Sequence, residues 1–134
     1  MEKDFVTYNE ALALKELGFD EPCFCIYNRE KVLRFNNLNN PNDRNKGVKL
    51  TSNNGRYPAP TYQQAFRWFR EKHGYFSSPM QSTKPSGIEY DWLITKDIDE
   101  SRIFVKTVGY FTTYEEAELE CVKKLIKIVN EIEK

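Results

Sequence analysis

Arginines and aromatic side chains crowd into two nearby stretches, Arg56-Tyr57 and Arg67-Trp68-Phe69-Arg70. Guanidinium groups mixed with aromatic rings on one surface can stack on bases and grip phosphates. The same residue types are enriched where proteins bind proteins. Arg56, Tyr57, Arg67, Trp68 and Arg70 are therefore the candidate binding residues, for a protein partner or, alternatively, a nucleotide or nucleic acid. The plainer reading of Trp68 is a rim tryptophan half-buried among solvated arginines.

Other chemistry-bearing residues point to structure rather than reaction. His73 is the only histidine. It stands at a predicted helix end, where a cation meets exposed carbonyls favourably. Cys23 and Cys25 would share one face of a strand, and Cys121 falls in a helix; buried cysteine behaves as a small hydrophobe. No zinc-ligand spacing joins them. Gly47, Gly55, Gly74 and Gly87 are isolated, without a phosphate-binding loop's spacing. No nucleophile elbow or His-Glu-x-x-His pair occurs. These patterns support no enzyme, cofactor or metal.

The elements that would position these residues are marked by a local pattern occurring three times. Thr7-Tyr8-Asn9-Glu10-Ala11, Thr61-Tyr62-Gln63-Gln64-Ala65 and Thr113-Tyr114-Glu115-Glu116-Ala117 each read as a capping box at a helix start. The first predicted helix runs from Tyr8 to about Leu17, with Gly18 as its left-handed stop. The second runs from Tyr62 to about His73, burying Tyr62, Ala65, Phe66 and Phe69, with Trp68 near the boundary. The third runs from Tyr114 to about Ile132 on a seam of Leu119, Val122, Leu125, Ile126, Val129 and Ile132.

Period-two patterns predict a hairpin of Cys23–Tyr27 with Val32–Phe35, and a second pair of Tyr90–Ile94 with Ile103–Val108. A strand over Tyr75–Gln81 would lie at an edge because of Pro79. The expected fold class is α+β: an antiparallel sheet of about four strands packed against three helices, the C-terminal one longest. Residues 1–134 are expected to form a single domain with a long Asn-rich loop at about 36–60.

Lys plus Arg and Asp plus Glu both number 20, a formal net charge of zero. Nucleic-acid binders usually carry a basic excess, so the balance favours a protein partner. The charged start Met1-Glu2-Lys3-Asp4 does not read as a secretion signal. No stretch approaches the ~20 apolar residues of a membrane span. The three cysteines form no disulfide framework, which makes the expected compartment cytoplasmic.

Three blocks together carry a resemblance: residues 11–23, residues 59–72 and residues 113–119. Their most specific part is Ala59-Pro60-Thr61-Tyr62-Gln63-Gln64-Ala65-Phe66-Arg67-Trp68-Phe69-Arg70. The chain resembles a family of small uncharacterised proteins of phages and prophages of gut Bacteroidetes. The resemblance implies an accessory role in the host cytoplasm and brings no activity to any residue. The run Gly109 to Ala117 also looks like the end of small sheet-plus-helix DNA-binding domains of plants, a pattern that helix capping alone produces.

Overall fold

The computed structural model describes residues 2–35, 55–98, 101–106 and 111–132, with side chains omitted at 97–98 and 101–106. The chain gathers into two compact units, Met1–Thr61 and Tyr62–Lys134. Among the described residues each is built around a three-stranded antiparallel sheet.

In the first unit, helix α1 (Tyr8–Glu16) buries Glu10, Ala11 and Leu14. Its end is a Schellman motif. The Phe19 amide donates to the Leu14 carbonyl at 2.9 Å and the Gly18 amide to the Lys15 carbonyl at 3.0 Å. Gly18 supplies the left-handed φ of 104° that this closure needs. The expected capping box at the other end is not formed. Thr7 makes no side-chain cap bond, and the first turn is held by its carbonyl, which accepts from the Ala11 amide at 2.9 Å.

Strands β1 (Cys25–Tyr27) and β2 (Leu33–Phe35) form the expected hairpin, with Cys25 opposite Phe35 and Tyr27 opposite Leu33. Asn28 builds the turn: its Oδ1 accepts the amides of Glu30 at 2.9 Å and Val32 at 3.0 Å. Short polar side chains favour turns through such local bonds. On the other side of β1 lies β3 (Tyr57–Ala59), pairing Tyr57 with Tyr27 and Ala59 with Cys25. This strand occupies the end of the stretch expected as loop, whose residues 36–54 lie outside the described residues. Pro58 is compatible with a strand here because β3 has a neighbour on one side only.

In the second unit, α2 (Tyr62–Trp68) runs into a wider π-helical turn over Phe69–His73. Gly74, at φ 76°, ends it, and the Tyr75 amide donates to the Phe69 carbonyl across this wider turn. Strands β4 (Phe76–Lys84), β5 (Gly87–Ile98) and β6 (Ser101–Lys106) follow in the order β4-β5-β6. Pro79 is on an edge strand, as its missing N–H requires. Among the described residues the strands form two sheets of three, and the early hairpin pairs with Tyr57–Ala59.

Helix α3 (Tyr114–Ile132), the longest, packs on β4 and β5. Its buried face is Ala117, Glu118, Cys121, Val122, Leu125, Ile126, Ile128 and Val129. That face differs from the expected seam: Leu119 is only half-buried and Ile132 is 67% exposed. The small side chains of Ala117 and Cys121 allow close approach to the sheet, which a reading weighted to large apolar residues overlooks. Thr113 does cap this helix, its hydroxyl accepting the Glu116 amide at 3.1 Å. The Glu116 carboxylate instead takes the Thr112 hydroxyl at 3.1 Å. Thr113→Ala is expected to lower stability by about 1 kcal/mol, with Thr113→Ser near wild type. Equal urea midpoints for Thr113→Ala and wild type would remove the cap from the account.

Candidate tyrosine–lysine surface

The first unit brings together three tyrosines that are remote in sequence. Tyr8 opens α1, Tyr27 ends β1 and Tyr57 begins β3. The antiparallel register sets Tyr27 opposite Tyr57. Tyr8 lies edge-on to both, with ring centroids 5.7 Å from Tyr27 and 5.8 Å from Tyr57. Edge-to-face contact sets the positive rim of one ring against the negative face of another. Tyr27 is the buried member. Its hydroxyl donates to the Val6 carbonyl at 2.6 Å, and burial, followed by the charges of Glu2, Glu10 and Cys25, pushes its pKa up.

Two ammonium groups lie over the outer rings. Lys31 Nζ is 5.1 Å from the Tyr8 centroid, and Lys15 Nζ is 5.4 Å from that of Tyr57. Both distances allow attraction between cation and ring quadrupole. Lys15 lies seven residues beyond Tyr8, two helical turns along the same face of α1. Lys31 is presented by the β1–β2 turn with a left-handed φ of 65°.

Arg56 is exposed, and Tyr57 after it is half-buried. The preceding residue, Gly55, has φ 76°, and a Cβ there would come within 3.2 Å of Arg29 Cγ. Glycine lets the chain pass close over the arginine stem while turning into β3.

The candidate binding residues are thus divided between the units. Tyr57 belongs to the tyrosine–lysine surface, which also uses Tyr8, Lys15, Tyr27 and Lys31, and Arg56 precedes it in the chain. Those four were missed because their convergence depends on the register of β1 with β3. The spacing of Tyr8 and Lys15 was the one local signal. Arg67 and Arg70 are exposed in the second unit, on α2 and the turn that extends it. Trp68 corrects the expectation of a boundary residue. It is 3% exposed, packed edge-on against Phe69 at 5.0 Å and His73 at 4.9 Å. An indole is large enough to reach the core from one position beyond the main apolar stripe.

The rest of the described structure offers little reactive chemistry. A cavity of about 220 Å³ in the first unit is lined by Glu2, Cys25, Leu33, Arg34 and Phe35. Burial pushes the Cys25 thiol up in pKa and that of Cys121 up to about 12, so neither is poised as a thiolate. Among the described residues no three His, Cys, Asp or Glu side chains converge as a metal site. Nor is any described helix long and apolar enough to cross a membrane. Comparison with protein-family models, curated proteins and solved structures returns no match to this chain.

Proposed function

We propose that this chain is a non-catalytic binding protein that holds a protein partner on the tyrosine–lysine surface of its first unit. The phage resemblance suggests an accessory role, and the host cytoplasm is the proposed compartment. The observation that carries the reading is the joining of Tyr8, Tyr27 and Tyr57 beneath two lysines, with the exposed Arg56 preceding Tyr57 in the chain. Tyrosine offers large contact area with few rotors to freeze, and arginine adds directional hydrogen bonds, so both are frequent anchors of interfaces.

The test is quantitative co-purification from source cells with wild type and two variants. Arg56→Glu, an exposed change, is expected to reduce recovery of the specific partner about tenfold or more, in the range of an interface anchor. Arg67→Glu, on the second unit, is expected to leave recovery unchanged. Equal recovery with Arg56→Glu and wild type, or loss confined to Arg67→Glu, would move the site away from the first unit.

A further inference from the structure

We draw no further inference here: the strongest candidate, the cavity of about 220 Å³ in the first unit lined by Glu2, Cys25, Leu33, Arg34 and Phe35, carries nothing because nothing in the structure shows what fills it.

Discussion

Trp68→Ala is expected to destabilise the second unit by about 3–5 kcal/mol, the usual cost of emptying a buried aromatic site. The indole is 3% exposed and touches Phe69, itself wholly buried, and His73. Removing it leaves a void where α2 widens into its last turn, whose geometry holds Phe69 inward. The exposed neighbour Arg67 gives the control, since Arg67→Ala should change stability by no more than about 0.5 kcal/mol. Urea unfolding followed by circular dichroism measures both. A Trp68→Ala midpoint equal to wild type would mean that the indole is not a core residue. The expected loss also has a practical consequence: any binding defect of Trp68→Ala reports unfolding before recognition.

A second large effect is expected in alkali. The Cys121 thiol is pushed from its ordinary 9.0 up to about 12, chiefly by burial, with Glu118 adding in the same direction and Ser77 opposing. The folded state therefore keeps its proton over a range in which the unfolded chain loses it. Stability from this group is complete below about pH 9 and is lost as pH rises toward 12. Three pH units at 1.36 kcal/mol each bring the full loss to roughly 4 kcal/mol. Tyr114, raised by burial and then by Glu118 and Cys121, pulls in the same direction above 10.0. Urea midpoints at about pH 8 and pH 11 should diverge clearly more in wild type than in Cys121→Ala, where Tyr114 still contributes. An equally steep decline in both proteins would assign the alkaline sensitivity to other groups. Alkylation of Cys121 should accompany unfolding, because its sulfur is buried in the folded state.

Much of the local structure was legible in the sequence, and the reasons are physical. The three helices, the Gly18 stop, the first hairpin and the edge position of Pro79 follow from forces acting over a few residues. Capping was less secure. Thr113 uses its hydroxyl and Thr7 does not, although both stand in the same local pattern. A side-chain cap competes with tertiary packing, and at the first helix Glu10 is drawn into the buried face.

What the sequence hid was long-range pairing. Tyr57-Pro58-Ala59 carries no alternation of its own, and it becomes a strand through its register with β1. That pairing brings Tyr57 beside Tyr8 and Tyr27. Arg56 and Tyr57 were identified by type alone, while Lys15 and Lys31 needed the fold. Trp68 was misplaced for a related reason: a helical wheel assigns each position a direction, but the reach of the side chain also decides burial.

The central claim is that the partner sits on the tyrosine–lysine surface of the first unit. Its most direct test is site-specific photocrosslinking in source cells, with benzoylphenylalanine replacing the exposed Glu30 in one protein and Arg67 in another. The account predicts a discrete adduct from position 30 that weakens when Arg56→Glu is added, and none from position 67. An adduct from position 67 alone would contradict the account and place recognition on the second unit.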